Sequence, residues 1–160
     1  MDYLVHQQWL IVAVIFFGII FYISWRRWQD RKWIRERFGE QPPVALSFGV
    51  HFFGRATEPV SPRRKTGFLL LLPDRLVFRG RGNRPVLDIP GRRIARVYHG
   101  TSHKGVELHQ SVIKVDFLAD GEELDTAAFK VPYPPQWIQA IGSTLIVPPD
   151  PQTLQRQVSK

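Results

Sequence analysis

Residues 67–80 read GFLLLLPDRLVFRG and contain the clearest secondary-structure pattern of the chain. Two apolar runs of strand length, 67–72 and 75–79, are separated by only two residues. These are Pro73 and Asp74, a pair that suits the central positions of a tight turn because proline presets the backbone angle and aspartate tolerates turn conformations. The segment therefore predicts two antiparallel strands joined by a short connection.

The two-residue period of apolar side chains extends to both sides of this hairpin. We expect Leu76 and Phe78 to face a core, and Val77 to lie on a solvated face with its arginine neighbours. In a later strand, the alternation assigns Lys114 and Asp116 to the solvent side. The strands predicted in this way are residues 44–53, 67–72, 75–79, 85–89, 93–99, 111–120 and 123–131.

A helical pattern follows the seventh strand. Pro134 and Pro135 can begin a helix, and apolar residues then recur at helical spacing, namely Trp137, Ile138, Ile141 and Leu145. Pro148 and Pro149 end the pattern, and the polar, proline-rich residues 148–160 are predicted to be a disordered tail. The expected fold class is α+β and mainly β, with a seven-stranded antiparallel sheet or barrel capped by one C-terminal helix.

This order of elements resembles the pleckstrin-homology (PH) superfold in its bacterial, GRAM-like form, over roughly residues 44–147. The hairpin at 67–80 is similar to the family pattern G-x-L-x-L-T-x-x-R-L-x-F. The segment VLDIPGRRIARV, residues 86–97, is similar to the family's I-P-x-x-x-I-x-x-V strand pair, and a terminal helix with Trp137 completes the resemblance. The resemblance implies a bent sheet with the helix plugging one open end and Trp137 in the core.

A second segment, WLIVAVIFFGIIFYISW, runs from Trp9 to Trp25 without a charged residue. As a helix it would extend over about 25 Å, slightly less than the ~30 Å hydrocarbon core of a bilayer. Trp9 lies at one end of this segment and Trp25 with Trp28 at the other, where interfacial aromatic belts occur in membrane proteins. The sequence therefore predicts a transmembrane helix over residues 9–25.

Basic residues crowd only the C-terminal flank of the apolar segment. They are Arg26, Arg27, Arg31, Lys32, Arg35 and Arg37. A cleaved signal peptide would carry its positive charge before the apolar run and small residues after it, so an uncleaved anchor is favoured. The positive-inside rule predicts a plasma-type or inner cell membrane with residues 1–8 outside and residues 26–160 in the cytoplasm. Attraction to headgroups, about 1 kcal/mol per basic residue, would hold this orientation.

Residues 26–43 are predicted to extend the helix as a basic, tryptophan-rich juxtamembrane segment and linker. Gly39 is well placed as a helix C-cap, and Pro42-Pro43 prevents continuation. Two interpretations stay open. The segment is either a solvated stalk, or its aromatic side chains dock against a partner or the membrane surface. The candidate docking aromatics are Trp28, Trp33 and Phe38.

The net charge of +8 is concentrated in the first part of the chain. Residues 26–96 hold 17 Lys/Arg against 6 Asp/Glu, whereas residues 97–160 hold 5 against 7. An excess of this kind indicates an acidic partner surface, and the neighbouring apolar segment favours lipid over nucleic acid. Nucleic acid is not an expected partner, because the basic loops 54–65 and 79–84 lack aromatic residues for stacking on bases.

PH domains that hold phosphoinositides use basic residues on the first two strands and in the loop between them, and the resemblance implies the same positions in this chain. The candidate anionic-lipid or partner patch of this chain consists of Arg55, Arg63, Arg64, Lys65, Arg79, Arg81 and Arg84. The family's signature also needs a basic residue along the second strand, where this chain has Gly67, Phe68 and Leu69. The remaining interpretations are non-specific attraction to anionic headgroups and a solvated basic face.

The sequence carries no motif of a known catalytic class. It has no cysteine, nucleophile elbow, His-Glu-x-x-His or phosphate-binding loop. We expect His99 and His103 to be surface residues near a hairpin, and the carboxylates at residues 120–125 to be solvated around a turn. His6 could in principle ligate a pigment or haem in an assembly, but an interfacial polar residue is the simpler interpretation. We therefore expect no enzymatic activity, metal or cofactor.

Two functions remain as hypotheses. In the first, the chain is a non-catalytic scaffold or accessory subunit of a larger membrane complex, such as a photosynthetic or respiratory assembly. Its partners would be the lipid bilayer and integral membrane protein subunits, bound through strand edges or the groove beside the terminal helix. In the second, the domain binds anionic lipid or phosphoinositide. The first is favoured because a spanning helix anchors far more strongly than a headgroup contact.

Overall fold

The computed structural model describes residues 2–39, 42–59, 65–81, 86–120 and 123–146. The chain divides into two compact units, Met1–Gln41 and Pro42–Lys160. Within the described residues, the first unit consists of one helix, and the second of seven strands, a short 3-10 helix and a second α-helix. The predicted tail, residues 148–160, lies outside the described residues.

The helix of the first unit, α1, runs from Asp2 to Phe38. At 1.5 Å per residue its 37 residues extend over about 55 Å. The segment contains no proline, and the helix passes without a break from its uncharged part into its basic part. The next residue, Gly39, has a φ of +68°, and its N–H donates to the Arg35 carbonyl oxygen at 2.9 Å. This left-handed backbone conformation favours glycine and stops the helix.

The second unit is built on one sheet. Its strands are β1 (Ala45–Arg55), β2 (Lys65–Leu71), β3 (Arg75–Gly80), β4 (Val86–Pro90), β5 (Ile94–His103), β6 (Val106–Leu118) and β7 (Leu124–Lys130). Their spatial order is β4-β3-β2-β1-β7-β6-β5, and every neighbouring pair is antiparallel. A 3-10 helix, Gly91–Arg93, joins β4 to β5, and α2 (Pro134–Leu145) follows β7. The predicted seven-stranded antiparallel sheet with a C-terminal helix is confirmed.

The hairpin of β2 and β3 has the predicted turn. The Leu72 N–H donates to the Arg75 carbonyl oxygen at 2.9 Å across the Pro73-Asp74 pair. At the other end of the hairpin, Gly67 faces Gly80, and a Cβ at Gly67 would lie 1.9 Å from a backbone carbonyl oxygen of β3. Only glycine permits this close approach of the two strands.

The core lies between strands β1–β4, strands β5–β7 and α2. Phe52, Phe78 and Phe129 come from β1, β3 and β7, and their ring centroids lie 5.0 to 5.7 Å apart. Aromatic pairs at such distances contribute roughly 0.5–1.5 kcal/mol beyond the burial of their area. Trp137 is buried in the same cluster, as expected, with the other inward residues of α2. The helix therefore packs on the core and continues it beyond the sheet.

Four side chains that we expected to face solvent are buried. Val77 is fully buried beside Leu70, because β2 and β3 are apolar on both faces rather than one. Asp116, Asp125 and His103 are also buried, with 2%, 1% and 6% of their surface exposed. The prediction was wrong for each polar residue because hydrogen bonds within the fold replace the contacts with water that the pattern implied.

Candidate membrane and partner-binding surfaces

The apolar part of α1 has an exposed, uncharged surface. From Trp9 to Phe38, α1 is long and apolar enough to span a membrane, and its most apolar window has a mean hydropathy of 2.0 with no residue buried. Exposure of the large apolar side chains ranges from 44% at Ile20 to 71% at Trp9. A contiguous apolar surface of this size is unfavourable in water and marks a site that binds protein or lipid.

The predicted interfacial residues lie at the two ends of this surface. Trp9 is separated from Trp25 by 16 residues, which is about 24 Å along a helix. Trp25 and Trp28 are 52% and 60% exposed, and Arg26 and Arg27 lie between them on the same turn. This arrangement combines aromatic rings and cations, the side chains that interact with the headgroup region.

Two cation–ring contacts order the side chains of the basic turns. The Lys32 ammonium lies 5.7 Å from the ring centroid of Trp28, and the Arg37 guanidinium lies 5.7 Å from that of Trp33. Trp33 also contacts Phe38 edge to face, with centroids 5.7 Å apart. Two of the three candidate docking aromatics, Trp33 and Phe38, thus contact each other and form an aromatic-cationic cluster with Arg37 at the end of the helix.

Arg55, a predicted member of the basic patch, forms an ion pair within the fold. Its Nε donates to the Asp125 carboxylate at 2.6 Å, and the side chain is 33% exposed. The carboxylate also accepts bonds from the Thr57 hydroxyl at 2.8 Å and from the backbone N–H groups of Thr57 and Thr126. Burial raises the pKa of Asp125, but these donors outweigh it and lower the pKa below its ordinary value. Arg55 therefore stabilises the fold.

The other described members of the patch gather where β2 begins and β3 ends. The Lys65 ammonium lies 3.8 Å from the Glu58 carboxylate, and the Arg81 N–H donates to the Thr66 carbonyl oxygen at 2.9 Å. Arg79 is half-buried on β3, and Arg81 is exposed. The structure brings Lys65, Arg79 and Arg81 into one region. Arg63, Arg64 and Arg84 lie outside the described residues.

The segment that leads from β1 into this patch is fixed by the tip of the β5–β6 hairpin. The His103 ring bonds to the Gly54 carbonyl oxygen at 3.0 Å, and the Lys104 ammonium donates to the Glu58 carbonyl oxygen at 2.8 Å. Burial lowers the pKa of His103 below its ordinary value, so the neutral ring is favoured. The sequence carried no signal for these contacts, because the residues lie more than 40 positions apart in the chain.

A second buried carboxylate lies on the face of the sheet that is opposite the core. Asp116 accepts a bond from Arg96 Nε at 2.5 Å and one from the Thr126 hydroxyl at 2.7 Å. The Arg96 guanidinium lies over the Tyr98 ring, 4.6 Å from its centroid, while 68% of its side chain remains exposed. The hydrogen bond to Asp116 raises the pKa of Arg96, and burial raises that of Tyr98. The sequence did not predict this cluster, because the alternation in the strand placed Asp116 on the solvent-exposed face.

In the part of the chain that the structure describes, the histidines do not assemble into a metal site. His99 bonds to the Ser111 hydroxyl, whereas His103 bonds to the Gly54 carbonyl oxygen, so the two rings have separate partners. Among the described residues, no group of three or more His, Asp or Glu side chains could hold a metal ion. His6 belongs to α1, and its side chain lies outside the described residues.

A groove runs beside α2 and the beginning of β1. Its volume is about 370 Å³, and its walls are Ala45 and Leu46 on one side and Trp137 and Tyr133 on the other. Tyr133 is 71% exposed and adopts a left-handed backbone conformation, with φ of +53°, between two prolines. Such a conformation is uncommon for a residue other than glycine. The structure therefore has a groove beside the terminal helix, and the binding of a peptide there stays a prediction.

Comparisons with known proteins describe the fold alone. Neither protein-family models nor curated proteins gave a match. Among solved structures, the chain is similar to the C-terminal domain of an unknown protein from Leishmania infantum, with a TM-score of 0.55 and 16% identity over 76% of this chain and 98% of that chain. It is also similar to a chain of the 8S snRNP assembly intermediate, with a TM-score of 0.52 and 10% identity over 69% and 87% of the two chains.

Proposed function

We propose that this protein is a single-pass, membrane-anchored scaffold or accessory subunit without catalytic activity. In this proposal its β domain binds other subunits of a larger membrane complex, such as a photosynthetic or respiratory assembly. The observation that carries the proposal is the exposed apolar surface of α1 between Trp9 and Trp25, followed directly by basic turns. A bilayer removes such a surface from water, which is favourable in proportion to the apolar area covered.

The charge distribution supports one orientation of this anchor. Six Lys/Arg residues lie between residues 26 and 37, and residues 1–8 contain none. Since basic flanks are retained on the cytoplasmic side, the N-terminus would be outside and the β domain in the cytoplasm of a cell membrane. Trp9, Trp25 and Trp28 would lie at the two headgroup regions.

We further propose that the β domain belongs to the PH-like, GRAM-like class. The proposal rests on the hairpin motif at residues 67–80 and on two antiparallel meanders, β1–β4 and β5–β7, which are joined by the pairing of β1 with β7. It also rests on the position of α2, whose Trp137 enters the core between them. A PH-like domain on a permanent anchor gains little from reversible lipid binding, so the edges and the groove beside α2 are free to bind protein.

Binding of anionic lipid is the second candidate function. It is favoured by the position of Lys65 and Arg81 at neighbouring strand ends. Two contacts within the fold weaken it, since Arg55 is bound to Asp125 and Lys65 lies near Glu58. A cation that is already neutralised contributes less to headgroup attraction than a free one.

Purification from membranes in mild detergent tests the proposed function. A scaffold is expected to co-purify with a stoichiometric set of integral membrane proteins, and alkaline carbonate should not extract it from membranes. Release of the whole chain by carbonate, or removal of the β domain by protease added outside intact cells, would refute the anchor or its orientation. A chain that purifies alone and binds anionic liposomes, but not after Arg63, Arg64 and Lys65 are changed to Ala, would favour lipid binding.

A further inference from the structure

The strands β5, β6 and β7 present a group of cations on the face that is opposite the core. Arg96 lies on β5, Lys114 on β6 and Lys130 on β7. Arg96 and Lys130 are exposed, and Lys114 is half-buried. The nearest carboxylate on this face, Asp116, is buried beneath Arg96 and therefore does not reach a partner. The charges that Arg96, Lys114 and Lys130 present here are positive.

Arg96 is held in one orientation while most of it stays accessible. Its Nε is bonded to Asp116, and its guanidinium lies over the Tyr98 ring. The Asp116 carboxylate is itself fixed by the Thr126 hydroxyl at 2.7 Å. An exposed arginine normally loses rotamer freedom when it binds a ligand. Here the fold has already imposed that order, and the planar guanidinium suits two parallel hydrogen bonds to a carboxylate.

A second cation lies close to the same ring. The Lys114 ammonium is 5.8 Å from the Tyr98 centroid, compared with 4.6 Å for the Arg96 guanidinium. Both cations are therefore within roughly 10 Å of each other. In an extended peptide, side chains at positions i and i+2 point the same way and are about 6.6 Å apart. Two acidic residues at this spacing could contact Arg96 and Lys114 together.

We propose that the Arg96–Tyr98–Lys114 face of the β domain binds an extended acidic segment of a partner protein, with acidic residues at alternate positions. The inference rests on the proposed scaffold function and gives the chemistry of the partner. A protein segment is the occupant favoured by the geometry, because the site lies on the face of three paired strands and its central guanidinium is pre-oriented for a carboxylate. Diffuse attraction to lipid headgroups needs charge but no such orientation.

The test uses the full chain in nanodiscs of uncharged phosphatidylcholine. A fluorescein-labelled peptide of alternating Glu and Ser, and its Gln–Ser counterpart, are titrated and binding is followed by fluorescence anisotropy. We expect binding of the Glu peptide alone, weakened by added salt. Lys114→Gln should weaken binding several-fold. Arg96→Gln combined with Asp116→Asn should weaken it about tenfold or more, since a charge-assisted bidentate contact is lost.

The paired substitution keeps the test valid if Arg96→Gln alone fails to fold, because it removes the buried charge together with its partner. Arg92→Gln is the matched control, since Arg92 is also an exposed arginine but lies on the 3-10 helix. It should change the affinity by less than about twofold, because an exposed charge outside the site is screened by salt. Equal weakening by Arg92→Gln, or equal binding of the Glu and Gln peptides, would overturn the proposal.

Two further outcomes separate this inference from the function on which it rests. If nanodiscs with anionic lipid bind the domain through Arg96 and Lys114 while the Glu peptide does not bind, the site is a lipid site and the proposal is wrong. If membrane partners co-purify with the wild-type chain and equally with the paired variant, the scaffold function stands and this site fails. If no partner co-purifies with either chain, the scaffold function fails, and the titration still decides whether the face binds acidic peptide.

Discussion

Replacement of Asp125 by Ala is expected to destabilise the β domain, because it removes a buried carboxylate of β7 that binds Arg55 and Thr57. The carboxylate has no exposed surface and accepts four hydrogen bonds, two of them from Thr57. Its removal takes away the carboxylate that Arg55 binds and both hydrogen bonds from Thr57 to β7. The change therefore breaks one of the contacts that join the two meanders.

The structure sets the expected magnitude. Removal of one partner of a buried ion pair typically costs about 3–5 kcal/mol. The Arg55 side chain is 33% exposed and Thr57 is an exposed residue, so water can solvate part of the donor groups that lose Asp125 as their acceptor. We expect a loss of about 2–4 kcal/mol in the free energy of unfolding. With a urea dependence near 1.5 kcal/mol per molar, a loss of about 3 kcal/mol lowers the unfolding midpoint by about 2 M.

The assay is urea unfolding of the full chain in nonionic detergent, followed by circular dichroism of the strands. Asp120→Ala is the matched control, because Asp120 also accepts a bond from an arginine at 2.6 Å but its side chain is 98% exposed. This control should leave the midpoint unchanged within error. The reasoning is refuted if the two variants lose equal stability, or if Asp125→Ala shifts the midpoint by less than about 0.5 M.

Three further predictions concern other parts of the chain. Burial lowers the pKa of His103 in the folded chain, so the unfolded chain binds the proton more tightly. The free energy of unfolding should therefore fall as the pH drops from about 6.5 to the lowered pKa of the folded state. His103→Gln keeps an N–H donor and should flatten this part of the stability–pH curve. Gly67→Ala puts a Cβ 1.9 Å from a backbone oxygen and should prevent folding, whereas Gly142→Ala, with no atom within 4 Å, should raise stability by about 0.5–1 kcal/mol in thermal unfolding. Changing Arg26, Arg27 and the other four basic residues of that flank to Gln should yield a mixture of orientations, seen as partial protease accessibility of the β domain outside intact cells, and a uniformly protected domain would contradict the charge argument.

The sheet and the terminal helix could be predicted because their signals are local. The turn at Pro73-Asp74, the alternation in the strands and the helical stripe around Trp137 each involve residues a few positions apart. Strand order was not accessible in the same way. Pairing of β1 with β7 joins residues such as Phe52 and Phe129, which lie 77 positions apart and show no local signal.

The prediction that Asp116 and Asp125 face solvent was wrong for a different reason. Period-two patterning assigns a residue to a face but does not show whether that face is wet, so it placed Asp116 in solvent. Its burial depends on partners from two other strands, Arg96 and Thr126, which the sequence does not identify as neighbours. The same limit applies to Asp125, which lies beside a hairpin turn where solvation is the ordinary explanation for a carboxylate.

Arg55 and Arg96 show why the basic residues of this domain differ in what they can bind. Each donates its Nε to a buried carboxylate, at 2.6 Å and 2.5 Å, so neither bond length nor charge distinguishes them. The side chain of Arg55 is 33% exposed, whereas that of Arg96 is 68% exposed. For Arg55 the Asp125 carboxylate binds the Nε and the guanidinium lies 5.9 Å from the centroid of the Phe117 ring, so the pair acts on the fold. For Arg96 the carboxylate lies beneath the guanidinium, so the same contact that stabilises the sheet also directs a cation outward. A count of charges in the sequence treats both arginines equally, but only Arg96 is positioned to bind an acidic group.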